Sequence, residues 1–371
     1  MAQKKINGAV AFIIVIAILS ACFLAIYFIM PTVTKKIDET KESVAEMIPI
    51  TVMETVFEQK LVTSKDDENY NNYDAYIKRS AEIVNELDTK FSFYNPESQI
   101  YQLNKEAGMN WVNLDEEVYS LVEKGMDASE VYDGRFNIAL GAVSRLWNIA
   151  EQNYLGHKVP PTAAEITRLK PGTNANDVTL YDTKDRLRLR SQLAEFDLGA
   201  MVKGYAVEKV MNYYKESGVR SAWVSLGGSS IGVMGTKPSG GLYEIGIRDP
   251  RGEINADTIG SLNITDVFIN TSGDYEQYFE YDGVRYCHII DPKTLSPIQN
   301  DMMSVTVVGD SGVDTEILST ALFVGGMEEI TPLLSNPDYK IIAITKDKSI
   351  YVSESLKPNF TFKEDSGYII K

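Results

Sequence analysis

The stretch Arg-Tyr-Cys-His-Ile-Ile-Asp-Pro-Lys-Thr at 285–294 carries one of two histidines and one of two cysteines in the chain. An adjacent cysteine and histidine could form a metal site or a nucleophile with its base. Strand periodicity argues against both. If 285–290 is extended, successive side chains point to opposite faces. Tyr286, His288 and Ile290 then share one side, and Cys287 and Ile289 share the other. A dyad needs convergence, so Cys287 reads as a small buried apolar residue. His288, three residues before the Asp291–Pro292 turn, is left with either a structural or a catalytic use.

Two further groupings have chemical potential. Asp197, Gly199, Lys203 and Gly204 fall where a strand gives way to a helix. A helix N-terminus with glycine access and a lysine suits an anion such as phosphate. The spacing is neither that of a Walker A loop nor G-x-G-x-x-G, and glycine used for tight packing is the alternative. Glu316 and Thr320 stand four apart on a predicted helix, hence on one face. With backbone carbonyls and water they make a hard-oxygen set fit for Mg²⁺ or Ca²⁺. The alternative is an exposed glutamate and a helix-interior threonine.

These residues need a scaffold, and 371 residues with 44% apolar and 24% charged content provide one. A net charge of −16 without a basic stripe excludes nucleic acid as a partner. Residues 9–30 are an uncharged apolar run flanked by Lys4, Lys5, Lys35 and Lys36, long enough to span a bilayer. Two readings follow: an uncleaved signal anchor behind a cytoplasmic tail at 1–8, or a lipoprotein signal in which Leu-Ser-Ala-Cys ends on an acylated Cys22. With Cys22 in that run, a disulfide scaffold is excluded. Residues 31–47 read as a polar stalk, partly helical, and one folded domain is expected over 48–371.

Within that domain, 50–62 and 185–199 read as strands, and 72–91, 116–134 and 200–218 as helices. Further strands are expected at 220–228, 242–250, 266–273, 280–291 and 304–310. A helix should start near Asp314, and 340–353 should close as a hairpin. Strands outnumber long helices and several are joined by hairpin-like turns. The expected class is α+β with a mixed or antiparallel sheet and flanking helices.

Taken in order, the motifs resemble the ApbE family of FAD:protein FMN transferases from about residue 50 to the C-terminus. The resemblance is carried by Val-Met-Glu-Thr-Val (52–56), Phe-Ser-Phe-Tyr-Asn-Pro-Glu-Ser-Gln-Ile (91–100) and Asp-Gly-Arg-Phe-Asn (133–137). It continues through Asp-Leu-Gly-Ala-Met-Val-Lys-Gly-Tyr (197–205), Ser-Leu-Gly-Gly (225–228), Asn-Thr-Ser-Gly-Asp-Tyr (270–275), His-Ile-Ile-Asp-Pro-Lys-Thr (288–294) and Thr-Glu-Ile-Leu-Ser-Thr-Ala (315–321). It implies an ApbE-like domain that moves FMN from FAD onto a Thr or Ser hydroxyl of an exported protein, with Mg²⁺ required and AMP leaving. On this likeness Met53, Tyr94, Asp197, Gly199, Lys203, Gly227, Gly228, Ser272 and His288 would hold FAD. His288 and Asp291 would border the reacting phosphate. The backbone of Val202, with Glu316, Ser319 and Thr320, would hold the metal.

The likeness also implies that the domain lies outside the cytoplasmic membrane, anchored by a single pass. Several positions depart from the family pattern: Asn137, Ala139, Ala142, Ala200, Val202, Ser229, Leu295, and Glu316 where Asp is usual. An FAD pyrophosphatase and a non-catalytic flavin binder therefore stay open as alternatives. The acceptor pattern of the family is absent from the chain, which is not its own target.

Overall fold

A computed structural model describes residues 33–37, 42–64, 70–150, 159–181, 183–252 and 257–371. The apolar run at 9–30 lies outside them. No helix among the described residues is long and apolar enough to cross a membrane.

The framework is an eleven-stranded sheet. Its strands are β1 (Val33–Ile37), β2 (Glu42–Met47), β3 (Ile50–Val52), β4 (Thr55–Ser64), β5 (Ala222–Leu226), β6 (Ser230–Met234), β7 (Val267–Gly273), β8 (Met302–Gly309), β9 (Lys340–Thr345), β10 (Ser349–Val352) and β11 (Ile369–Ile370). They lie in the order β1-β2-β4-β5-β6-β7-β8-β9-β10-β11, with β3 folded back on β4. Only the β10–β11 pair is parallel. The α+β expectation holds, and the sheet is mixed through that pair.

Period-2 alternation explains how the sheet is covered on both faces. On β9, Ile341 and Ala343 pack with Val305, Val307, Leu322 and Phe323. The intervening Ile342 and Ile344 pack with Ile245, Ile259 and Leu262 of a second, three-stranded sheet. β8 is consequently buried almost from end to end, the small polar Ser304 and Thr306 included. The helical face carries α1 (Tyr73–Phe91), α3 (Val202–Glu216) and α4 (Gly312–Ile330), with α2 (Glu116–Val131) packed into the same core beside them. Phe57, Leu61, Val224 and Leu226 of the sheet share one core with Ile77, Val84, Val207 and Val210 of these helices.

Several elements differ from expectation for identifiable reasons. The supposed stalk at 31–47 contributes β1 and β2, and β2 pairs with β4 from Glu42↔Ser64 to Glu46↔Lys60. Its polar composition fits an edge of the sheet and does not require a helix. The single strand expected over 50–62 is the β3–β4 hairpin, turned at Met53 (φ 51°) and Glu54 (φ 58°). Two successive left-handed residues make that turn, without the Asn-Gly pair that usually announces it.

Over 185–199 only Arg186–Leu189 is a strand. Beyond it the backbone of Phe196 is held by the Asn104 side chain, which accepts from its N–H at 2.6 Å and donates to its carbonyl at 2.8 Å. A side-chain amide there substitutes for a strand partner. Residues 278–291 form a hairpin, Tyr278–Tyr281 with Val284–Cys287, followed by a break at His288 and a two-residue bridge at Ile290–Asp291.

Candidate active site

The junction of α3 and α4 forms the floor of the site. A Cβ on Gly204 would lie 2.2 Å from the Gly312 carbonyl oxygen, and one on Gly312 would lie 2.4 Å from that of Gly204. Glycine at both positions lets the two backbones touch. Each helix then caps the other. The Glu316 Oε2 accepts from the Gly204 N–H at 2.5 Å, and the Glu208 Oε2 accepts from the Gly312 N–H at 2.7 Å and from the Ser311 hydroxyl at 3.0 Å. A carboxylate at a helix N-terminus satisfies otherwise orphaned N–H groups.

Glu316 is buried, at 5% exposure, and its other oxygen stands 3.2 Å from the Lys203 ammonium. The same ammonium donates to the Gly199 carbonyl at 3.2 Å. One turn along α4, Ser319 and Thr320 reach β7. The Ser272 hydroxyl lies 2.9 Å from that of Ser319 and 3.1 Å from that of Thr320.

Above this floor opens a cleft of about 490 Å³. Met53, Tyr94, Asp197, Gly199, Val202, Lys203, Gly227, Ser272, His288, Glu316 and Thr320 all line it. Gly227, at φ 64°, lets the β3–β4 turn approach, since a Cβ there would meet the Thr55 hydroxyl at 2.3 Å. Tyr94 stands on the rim, 51% exposed, edge-on to Phe93 with ring centroids 5.0 Å apart. An exposed aromatic face beside a cleft can take a planar ring.

Three expected residues lie off the cleft wall. Ser319 is fully buried behind Ser272 and Thr320. Gly228 adjoins the wall at φ 69°, its N–H donating to the Ser225 hydroxyl at 3.2 Å. Asp291 faces a smaller neighbouring hollow lined by Pro292, Lys293 and Glu329. Its carboxylate accepts from the Lys293 N–H and the Thr294 hydroxyl, both at 2.9 Å, which fixes the turn that His288 precedes. In this structure Asp291 shapes the segment from outside the cleft.

The alternation argument for Cys287 holds. Cys287 and Ile289 enter the core beneath β8, while Tyr286 and Ile290 pack with Trp147 and Phe279. Burial pushes the Cys287 thiol up to about 11, so it is inert as a nucleophile at neutral pH. His288 is exposed to cleft solvent. Partial desolvation by the cleft wall, with the Lys203 charge, lowers its pKa to about 4. Its Nδ1 lies 3.3 Å from the Gln277 carbonyl. A proton on Nδ1 satisfies that oxygen and leaves Nε2 with a free lone pair.

Glu54, Asp88, Arg135 and Glu276 also line the cleft, beyond the residues expected there from sequence. Burial raises the carboxyl pKa of Glu54, Asp88, Asp197 and Glu276, and the charges of Asp197 and Asp88 raise Glu54 further. Lys203 opposes the rise at Glu54, Asp197 and Glu276. Arg135 is held by Glu329 at 2.5 Å. Of the four, Glu54 and Arg135 lie within the motifs at 52–56 and 133–137, and Glu276 directly follows Gly-Asp-Tyr; Asp88 has no local signal.

The donor set fits a hard divalent cation. It comprises one buried carboxylate, two hydroxyls (Thr320, Ser272) and the Gly199 carbonyl, all oxygen. Among the described residues there is no group of three or more His, Cys, Asp or Glu that could hold a metal by itself. A single carboxylate with hydroxyls and carbonyls suits an ion that takes its remaining ligands from substrate phosphate and water.

The ApbE family model matches residues 53–345. The chain belongs to the ApbE family. It is 33% identical over 300 residues to a FAD:protein FMN transferase of Klebsiella pneumoniae (strain 342), covering 81% of this chain and 91% of that protein. With a FAD:protein FMN transferase of Treponema pallidum (strain Nichols) the identity is 30% over 289 residues, 74% of this chain and 78% of the other.

Among solved structures, the ApbE protein of Thermotoga maritima superposes with a TM-score of 0.74 at 27% identity, covering 85% of this chain and 99% of its own. The apo form of the Pseudomonas stutzeri flavinyl transferase ApbE also gives 0.74, at 26% identity, covering 87% and 99%. ApbE membership accounts for residues as far apart as Met53 and Thr320 meeting in one cleft.

Proposed function

We propose that this ApbE protein is a FAD:protein FMN transferase that uses a divalent cation such as Mg²⁺ to move FMN onto a Thr or Ser hydroxyl of an exported protein. The observation that carries the reading is the convergence in one cleft of a helix start with Lys203, the Glu316–Thr320–Ser272 oxygen set, His288 and the exposed Tyr94 ring.

In this reading the acceptor hydroxyl oxygen attacks the FMN-side phosphorus of FAD. A P–O bond forms to the acceptor, the pyrophosphate P–O bond breaks, and AMP departs with the bonding pair. His288 Nε2 takes the hydroxyl proton. Its low pKa keeps the ring neutral, and an approaching pyrophosphate offsets the Lys203 charge and strengthens it as a base. Lys203 binds phosphate oxygens. Glu316, Thr320 and Ser272 would hold the cation, which when bound neutralises charge on the pyrophosphate. Tyr94 orients the flavin ring, and the cleft walls limit water as a competing acceptor.

The test incubates the full-length protein with FAD and Mg²⁺, with and without an exported protein carrying the family's acceptor pattern. AMP released only with the acceptor, together with flavin bound covalently to it, supports transfer. Release without acceptor identifies a pyrophosphatase, and FAD retained without turnover identifies a flavin binder. We further propose that 9–30 anchors the domain on the outer side of the cytoplasmic membrane; protease added to intact spheroplasts should then digest it, and full protection counts against that topology.

A further inference from the structure

We propose that Lys203 is a tethered stand-in for the metal ion: its ammonium holds the cation position between Glu316 and Gly199, and an arriving divalent ion displaces it into the cleft toward the phosphates. The inference rests on the flavin-transfer reading above. The Lys203 ammonium stands 3.2 Å from both the Glu316 carboxylate and the Gly199 carbonyl, two of the four oxygens that fit a hard cation. One positive charge cannot share that space with a second at such range.

Glutamate at 316 is what makes the arrangement possible. Its extra methylene, relative to aspartate, carries one oxygen to the Gly204 N–H and the other to Lys203. A carboxylate this deeply buried is costly without a counter-charge, so Lys203 stays while no metal is bound. Once an ion takes over that role, the ammonium is repelled and its flexible stem lets it swing outward. Lys203 already lines the cleft, and its charge acts on Glu54, Asp197, Glu276 and His288.

The charge balance of the walls favours this exchange. Glu54, Asp88, Asp197, Glu276 and Glu316 face the cleft with Lys203 and Arg135 as the basic residues of the lining, and Arg135 is committed to Glu329. A dinucleotide phosphate entering such a cleft needs both the ion and a released lysine. Metal and FAD should therefore bind with positive coupling through Lys203.

Binding of Mn²⁺ alone to the detergent-solubilised full chain, followed by the paramagnetic resonance of free Mn²⁺, reads this directly without turnover. Without FAD, Lys203→Met should bind Mn²⁺ at least about tenfold more tightly than wild type, equivalent to ~1.4 kcal/mol. The gain in Mn²⁺ affinity caused by FAD should shrink in the same variant, and Lys203→Arg should stay close to wild type. Thermal melts establish that each variant is folded, with Lys203→Gln as the replacement if Lys203→Met is not. Unchanged or weaker Mn²⁺ binding in a folded Met or Gln variant overturns the exchange. If Glu316→Gln abolishes Mn²⁺ binding in that case, the metal position proposed above survives. If Glu316→Gln leaves Mn²⁺ binding unaltered, the metal position and the exchange both fail.

Discussion

The floor and the rim of the cleft are built on opposite terms. On the floor, Gly204 meets Gly312 backbone to backbone, Glu316 is almost wholly buried, and its oxygens are held by the Gly204 N–H and Lys203. On the rim, Tyr94 is half exposed and His288 presents its ring to cleft solvent. Floor residues have their partners within the fold, whereas rim residues keep a face for a ligand. Substitutions on the floor should therefore damage fold and chemistry together, and substitutions on the rim should separate them.

The largest effect is expected at the floor. In Gly204→Ala the new methyl must displace the Gly312 carbonyl, so α3 and α4 move apart and both cross-caps loosen. About 3 kcal/mol of stability should be lost, the upper part of the overpacking range, and transfer should fall with it. Denaturant melts and AMP release, measured in parallel, check this; a folded, fully active alanine variant would show that the contact is dispensable.

At the rim, His288→Ala should lower the transfer rate by about 10²–10⁴-fold with little change in melting temperature. Cys287→Ala, one residue away but facing the core, should keep near-normal turnover. Equal loss of rate in both would refute the division between the two faces of that segment.

A smaller effect is expected at Leu295, whose backbone is left-handed at φ 56° and whose side chain is buried. Its carbonyl accepts from the Trp147 indole N–H at 2.9 Å. Glycine would relieve the left-handed backbone by about 1 kcal/mol but leave a cavity worth about 2–5 kcal/mol. Leu295→Gly should thus be less stable by about 1–4 kcal/mol, read from its denaturation midpoint. A more stable variant would mean that strain outweighs burial.

The subtlest expectation concerns pH. The folded pKa of His288, about 4, lies below its ordinary 6.5, so the unfolded chain takes up the proton first. The ring's contribution to stability is complete above pH 6.5 and is lost as pH falls toward 4. The raised carboxyls of Glu54, Asp88, Asp197 and Glu276 act in the opposite sense, gaining stability as they protonate. The comparison that isolates His288 is wild type against His288→Asn. The variant should lose less stability between pH 7 and 4, and parallel curves would count against a desolvated ring.

The same contrast explains which residues are legible in the amino-acid sequence. Lys203, Glu316 and Thr320 are legible because helix starts and i,i+4 spacing are local signals, and local geometry carries them into the site. Cys287 is legible because strand alternation survives up to the break at His288. Asp88 is not, because only the packing of distant elements brings α1 to the cleft. Asp291 differs, standing off the cleft wall in this structure. The resemblance directs it at the phosphate, but its carboxylate is used within Asp-Pro-Lys-Thr to fix the turn. The β3–β4 turn escapes notice because Met53 and Glu54 adopt a conformation their side chains do not advertise. Leu295 likewise hides a left-handed backbone behind a leucine held by burial.

The Gly204–Gly312 contact also gives the protein a timetable. The Gly204 N–H and the Glu316 carboxylate that receives it stand 112 positions apart in the chain. While a chain is being made, the walls bearing Tyr94 and Asp197 emerge long before the helix that completes the floor. Until that last long helix has emerged and docked, a nascent chain has no Glu316 or Thr320, and the proposed cation position has neither its buried carboxylate nor that hydroxyl.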